Sequence, residues 1–133
     1  MIDLSFFQRF APAAYFLLRV FAGLLFACHG AQKLFGILGG TRFENTLMLV
    51  AGVVELFGGL LIAVGFLAQI AAFLCAGQMA VAYVMVHAPQ GFWPIQNQGE
   101  LALLYLFIFL YVMCSGAGRF SVDSYLAKPG SPR

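Results

Sequence analysis

Charged residues are scarce in this 133-residue chain: Asp, Glu, Lys and Arg make up 9% of it, whereas roughly a quarter of a soluble globular domain is charged. Hydrophobic residues account for 62% of the chain. This composition excludes a separate soluble domain, and the chain is expected to lie in lipid. The net charge of +2, with no dense basic patch, gives no indication of nucleic-acid binding.

Cysteine and histidine are too few and too scattered to indicate a metal centre. The three cysteines lie in three different apolar stretches and form no CxxC pair, so we interpret them as small buried hydrophobic residues. They are Cys28, Cys75 and Cys114. No HxxxH or ExxH spacing places two ligands on one helix. The sequence therefore predicts no metal site, and it carries no cofactor motif.

Proline interrupts none of the four long apolar stretches of the chain. We place these stretches at residues 14–36, 46–66, 69–88 and 99–115. A bilayer core of about 30 Å needs roughly 20 helical residues at about 1.5 Å each, which four such stretches provide. The predicted fold class is therefore all-α: a single transmembrane domain, residues 1–133, that forms an integral membrane four-helix bundle with short loops.

The N-terminus lacks the positively charged leader of a signal peptide, because Asp3 lies in it and Arg19 interrupts the apolar run that follows. The first stretch is therefore predicted to be a retained membrane helix. Basic residues near the span ends favour the side of the two termini by five to two. The five are Arg9, Arg19, Arg119, Lys128 and Arg133, and the two are Lys33 and Arg42. Both termini are therefore predicted to be cytoplasmic.

Five ionisable residues gather toward the opposite, non-cytoplasmic side of the predicted spans. His29 and Lys33 are four residues apart on the first helix and share a face, Glu55 lies within the second helix, His87 ends the third and Glu100 opens the fourth. A charge at mid-membrane costs at least about 2.5–3.5 kcal/mol, so such groups usually face the bundle interior and mark function. The sequence predicts one polar pocket that opens outward.

Proton transfer and hydrogen bonding to a quinone are chemistry that these residue types favour. Quinone reduction takes up a proton for each electron, and we predict Glu55 and His87 as the catalytic residues that handle it. Glu55 is the strongest candidate because it lies deep and far from either helix end. The predicted quinone- or substrate-binding residues are His29, Lys33, Trp93 and Glu100.

Each member of this group also has a plainer structural interpretation. Lys33 can extend its ammonium group to the membrane interface. Glu100 can reciprocate an N-cap formed by Asn97, three residues earlier. His87 can simply end its helix at the interface, and His29 can be a neutral imidazole bonded across helices.

Other polar and small residues are interpreted as structural. Trp93 is favoured as an interfacial anchor over a substrate lid. Arg19 is expected to extend inward or to pair with Asp123 and so form a structural lock. Gln78, within the third span, receives no separate role. A hinge of about two residues makes the second and third spans antiparallel neighbours, and small residues favour close packing there. Those of the second span are Gly52, Gly59 and Ala63.

Several segments in order resemble the DoxX family of small four-helix bacterial membrane proteins, between Phe16 and Leu126. These segments are HGAQKLFG from His29, GVVELFGGLLIAVGF from Gly52, the histidine His87, the loop tryptophan Trp93, QGELALLY from Gln98 and GAGRFSVD from Gly116. The resemblance implies a multi-pass protein of the bacterial inner membrane. Some members form the membrane subunit of a thiosulfate:quinone oxidoreductase, which implies a redox complex and a quinone cofactor here.

Three functions are consistent with the sequence. The leading hypothesis is the membrane subunit of a redox complex, in a homo-oligomer or with redox partner proteins, whose pocket handles a quinone or a small sulfur anion. The second is a non-catalytic scaffold or assembly factor, because no cofactor motif is visible. The third is a small transporter, although four helices enclose only a narrow path. The electrons of an oxidoreductase would have to come from a partner.

Overall fold

Long helices make up most of the chain in the computed structural model, which describes residues 2–127. The helices are α1 (Ala11–Phe35), α2 (Thr46–Val64), α3 (Ala68–Ala82), α4 (Pro94–Asn97), α5 (Glu100–Ser115) and α6 (Val122–Leu126). A 3-10 turn, Ser5–Phe10, precedes α1. The third helix continues through a π-helical turn, Tyr83–His87, and a 3-10 turn, Ala88–Gln90. The described residues contain no β-strand.

Three of the helical stretches are long and apolar enough to cross a membrane, by length and composition: Ser5–Phe35, Thr46–Val64 and Ala68–Gln90. The fourth, α5, is a shorter apolar helix of 16 residues, about 24 Å long. Large apolar side chains cover the outer surface, as expected of a bundle that contacts lipid. The prediction of an all-α, four-helix membrane bundle is confirmed. Lys128 and Arg133, which the orientation prediction counts, lie outside the described residues.

Left-handed residues end the helices and set the connections between them. Gly36 ends α1 with φ of 66°, and Gly65 ends α2 with φ of 73°, a conformation that glycine adopts without steric cost. Leu67, with φ of 48°, then begins α3. Because only Gly65–Leu67 separate them, α2 and α3 run antiparallel as neighbours. The Asn45 side chain begins α2 by accepting a hydrogen bond from the Met48 amide at 3.2 Å.

Glycines bring α1 and α2 into backbone contact. A Cβ atom added to Gly23 would lie 2.5 Å from the carbonyl oxygen of Gly59, and one added to Gly30 would overlap the backbone of Leu56. A Cβ on Gly52 would also meet side chains of α1. The glycine face of α2 therefore packs on α1, and the expectation that it packs on α3 is wrong. Periodicity shows that these glycines share a face but does not identify the neighbour that they contact.

Apolar side chains fill the interior of the bundle, where α3 packs mainly against α5. Phe109 and Cys75 are fully buried there. The other two cysteines, Cys28 and Cys114, are exposed on the outer face, so the interpretation of all three as buried is wrong for these two. A thiol behaves as a small hydrophobic group, so it is accommodated against lipid as well as in a core.

Arg19 binds backbone carbonyl groups at the end of the bundle that carries the two termini, here called the termini end. Its guanidinium is buried and donates hydrogen bonds to the carbonyl oxygens of Ala117 and Phe120, the latter at 2.7 Å, with a longer contact of 3.4 Å to Ala63. It thereby connects α1 to the segment that follows α5. The predicted structural lock is present, but its acceptors are carbonyl groups.

Asp123 binds the α2–α3 hinge rather than Arg19. Its carboxylate accepts hydrogen bonds from the backbone amides of Leu67 and Ala68 at 2.8 and 3.0 Å, and its own amide donates to the carbonyl oxygen of Gly65 at 2.8 Å. The expected Arg19–Asp123 pair is absent from the described residues. The amides at the start of α3 have no partner within their helix, which explains why the carboxylate is used there.

Candidate functional site

Glu55 is the centre of the polar group within the bundle. It lies between the ends of α2 with 1% of its surface exposed. Its Oε1 atom accepts hydrogen bonds from Nζ of Lys33, which forms an ion pair with it, and from Nε2 of Gln78 at 2.8 Å. Its Oε2 atom is buried and has no hydrogen-bond partner among residues 2–127. The carboxylate therefore connects α1, α2 and α3 and retains an unused acceptor.

A cavity of about 330 Å³ extends from this carboxylate toward the end of the bundle that carries the loops 36–45 and 88–99, here called the long-loop end. All four long helices contribute to its wall. Most lining residues are apolar, and the side chains among them that carry polar atoms are His29, Lys33, Glu55, Gln78, His87, Gln98 and Tyr105. The structure thus brings together four of the six residues predicted to bind or react: Glu55, His87, His29 and Lys33.

The π-helical turn Tyr83–His87 positions His87 in the cavity wall. Such turns interrupt α-helices frequently at functional sites. Nδ1 of His87 lies 3.1 Å from the backbone carbonyl oxygen of Asn97. A carbonyl oxygen only accepts hydrogen bonds, so Nδ1 carries a proton and donates it. Nε2 makes no hydrogen bond within the described chain and is the nitrogen that can exchange a proton with a ligand.

Asn97 is fully buried and holds the 88–99 loop in place. Its Nδ2 donates to the carbonyl oxygen of Gly91 at 2.9 Å and to the hydroxyl of Tyr83 at 3.2 Å, and its Oδ1 accepts from the amide of Gly99 at 2.8 Å. Gly99 occupies the N-cap position of α5, so the N-cap predicted for Asn97 with Glu100 is wrong. The spacing alone does not reveal that a short helix, α4, ends at Asn97.

Glu100 and Trp93 lie outside the cavity lining. Glu100 is exposed at the first position of α5, and the residues that follow it, Leu101 and Ala102, face the cavity instead. Trp93 is exposed in the loop, with its ring edge-on to that of Phe92 at 5.2 Å between centroids. The binding roles predicted for Glu100 and Trp93 therefore remain sequence predictions without a contact to the cavity.

Tyr105 and Gln78 complete the site, although sequence reasoning assigned no role to either. The Tyr105 ring is buried, with its centroid 5.0 Å from that of Phe26 and 6.1 Å from that of His29. His29 is partly buried and makes no hydrogen bond within residues 2–127. The sequence does contain a signal for Tyr105 and Gln78: each carries a polar atom within an apolar span, on the helix face that points inward.

Fold and cavity together define a multi-pass membrane protein with an internal polar pocket. The DoxX family matches residues 14–88, more than half of the chain. An uncharacterized protein of Haemophilus influenzae is 37% identical over 129 residues, which cover 91% of this chain and 96% of that protein. The chain therefore belongs to the DoxX family, as the resemblance predicts.

More distant relatives cover the chain almost as fully. An uncharacterized membrane protein of Mycobacterium tuberculosis is 29% identical, over 88% of this chain and 83% of its own. A Bacillus subtilis protein named "Putative oxidoreductase CatD" is 27% identical, over 84% of this chain and 86% of its own. No solved structure gives a significant match.

Proposed function

We propose that this protein is the membrane subunit of a quinone-linked redox complex and that its cavity binds the quinone headgroup. The observation that carries the proposal is the cavity of about 330 Å³, apolar except for a buried carboxylate, its lysine partner, two amides, two imidazoles and the Tyr105 side chain with its hydroxyl. Small-molecule sites are mostly apolar, with a few placed polar groups and volumes of about 300–1,000 Å³. The oxidoreductase name of the Bacillus subtilis relative agrees with this function.

The polar side chains of the cavity supply what a quinone headgroup needs. Its carbonyl oxygens accept hydrogen bonds, and Lys33 and a ring N–H of His29 are donors. Reduction adds one proton for each electron, and Nε2 of His87 is placed to deliver it, because Nδ1 is held by the loop carbonyl. Glu55 positions the amine of Lys33, and its Oε2 accepts a hydrogen bond from the quinol hydroxyl that forms.

The electrons come from a partner protein, because the chain carries no redox motif. We place Glu55 and His87 in proton transfer and His29 and Lys33 in headgroup binding, and we leave Trp93 and Glu100 out of the site. The excess of basic residues near the two termini of the sequence supports a cavity in the non-cytoplasmic leaflet, and we propose that the membrane is the bacterial inner membrane. A redox partner, or a second copy of the chain, would then assemble with the bundle within or beside this membrane.

Native mass spectrometry of the protein extracted from its own membranes in mild detergent tests the proposal. We expect a retained quinone, identified by mass after extraction. Its occupancy should fall about tenfold or more in Glu55→Gln and His87→Ala, a loss of about 1.4 kcal/mol per tenfold. The control is Glu44→Gln, since Glu44 is exposed and does not line the cavity. A wild-type protein that carries lipid alone, or an occupancy unchanged by Glu55→Gln, would contradict the proposal.

A non-catalytic scaffold is the second candidate, and the contacts of Glu55 favour it. Because Oε1 accepts from both Lys33 and Gln78, the carboxylate joins three helices without any ligand. In a scaffold, Glu55→Gln would lower the unfolding temperature and leave the activity of the assembled complex unchanged. In the redox subunit, quinone-dependent activity falls even at temperatures where the variant remains folded. The two measurements, made on the same preparation, separate the candidates.

A further inference from the structure

The interface between α2 and α3 has a close contact on its hinge side and the cavity on the side of the long-loop end. In the middle of the bundle, a Cβ atom added to Gly58 would overlap Sγ of Cys75, so the helices are in close contact there. One turn further from the hinge, Glu55 and Gln78 make their hydrogen bond of 2.8 Å. This bond is the last polar contact between the two helices before the cavity begins.

The cavity occupies the rest of the interface between these helices. Toward the long-loop end, Glu55 is followed on α2 by Ala51 and Met48, and Gln78 is followed on the third stretch by Ala82 and Met85. All four of these apolar residues line the cavity. The space between α2 and α3 is thus continuous with the space above the Glu55 carboxylate.

The wall of the cavity reaches the outer surface of the bundle at this crevice. Five apolar lining residues are about half exposed or more: Val86 (51%) and Leu101 (49%), and also Leu47, Val81 and Met85, at 61%, 54% and 59%. Leu47, Val81 and Met85 form the rim of the opening at this crevice. They belong to the stretches Thr46–Val64 and Ala68–Gln90, both long and apolar enough to cross a membrane. The opening therefore faces hydrocarbon, and its rim is apolar.

We propose that the ligand enters sideways from the lipid between α2 and α3, and that it is a quinone with a long prenyl chain whose tail remains in this crevice. The inference rests on the proposed function and adds the substrate class. A cavity of about 330 Å³ lies near the lower limit of ligand pockets, about 300 Å³, so it holds a headgroup but no long chain. Glu55 and Gln78 lie at its inner end, and the rim between α2 and α3 is apolar, which matches an amphiphile with one polar head.

Variants that block the crevice test the role of the prenyl tail separately from that of the headgroup. The tail gains little binding free energy from the crevice, because lipid is equally apolar. If the crevice is blocked, however, the tail has no way out of the cavity and the headgroup cannot bind at the inner end. Val81→Trp narrows the opening. Val84→Trp is the matched control, because Val84 lies on the same helical stretch, is 65% exposed and does not line the cavity. Met85→Phe is a second blocking variant that covers the case in which Val81→Trp does not fold.

The probes are menaquinone-4, which has a prenyl tail, and menadione, which has none, titrated against the purified protein in detergent and quantified by extraction after gel filtration. In Val81→Trp we expect the Kd for menaquinone-4 to rise about tenfold or more while that for menadione changes less than about twofold. Val84→Trp should change neither. Equal effects on both quinones, or none on either, would overturn lateral entry. If the wild-type protein binds neither quinone, the proposed function itself fails.

Discussion

Nδ1 of His87 lies 3.1 Å from the backbone carbonyl oxygen of Asn97, so a histidine at the end of one membrane helix is oriented by the loop that follows it. The contact fixes the proton on Nδ1 and assigns proton exchange to Nε2. Because Asn97 is itself held by three side-chain hydrogen bonds, the orientation of the imidazole depends on the order of the whole 88–99 loop.

Replacing Asn97 with alanine should destabilise the loop. The change removes hydrogen bonds to Gly91, Tyr83 and Gly99, and each buried group left unpaired costs about 1–3 kcal/mol. We expect a lower midpoint of thermal unfolding, followed by Trp93 fluorescence in detergent. The control is Gln96→Ala, at an exposed neighbouring position. Equal midpoints for the two variants would show that the amide of Asn97 does not hold the loop.

Lys33 and Glu55 should be strongly coupled in a double-mutant cycle. Lys33→Met leaves a buried carboxylate without its cation, and breaking a buried pair in this way costs roughly 3–5 kcal/mol. In the double variant Lys33→Met with Glu55→Gln, part of this loss should return, because no charge remains buried. The free energy of unfolding in detergent, measured for all four proteins of the cycle, gives the coupling. Additive effects would mean that the ion pair contributes nothing to stability.

The glycine contact between α1 and α2 should not tolerate a methyl group. Gly23→Ala and Gly59→Ala each place a Cβ 2.5 Å from a backbone carbonyl oxygen of the other helix, and such overpacking typically costs about 1–3 kcal/mol. Gly77→Ala is the control, since a Cβ there meets nothing within 4 Å. By helix propensity alone it should stabilise the protein by up to about 1 kcal/mol. In the same unfolding assay, we expect Gly23→Ala and Gly59→Ala to lower the free energy of unfolding and Gly77→Ala to raise it.

Arg19→Lys should release the segment that follows α5. The guanidinium reaches the carbonyl groups of Ala117 and Phe120 at once, which one ammonium group does not reproduce. Tryptic cleavage after the exposed Arg119 should therefore become faster, and mass spectrometry of the fragments measures its rate. Arg9→Lys, at an exposed position before α1, should leave this rate unchanged. A rate equal to that of wild type in Arg19→Lys would exclude the lock.

The inward-facing polar residues of α1 and α2 could be predicted because the helical period and the antiparallel order fix them. His29 and Lys33 share a face, and Glu55 lies at a similar depth on the next helix, so all three reach the same cavity. The side of α5 on which Glu100 lies could not be predicted in this way. Its direction depends on where α5 begins, and that start is set by the hydrogen bond between Asn97 and Gly99.

Other features have no signature in a single sequence. The π-helical turn that ends in His87 adds a residue to its helical turn, and nothing in YVMVH distinguishes it from ordinary helix. Arg19 and Asp123 have opposite charges and lie at the same end of the bundle, so the sequence predicts an ion pair between them. In the structure, each side chain binds backbone groups instead: Arg19 donates to a carbonyl oxygen, and Asp123 accepts from two amides.

Polar contacts join the long helices to one another at the termini end. Arg19 joins the first helix to the segment after α5, and Asp123 joins that segment to the α2–α3 hinge, so all four long helices are tied together there. These polar contacts lie at the end of the bundle opposite to the one toward which the cavity extends, so the helices are cross-linked where the interior is filled and not where it is hollow.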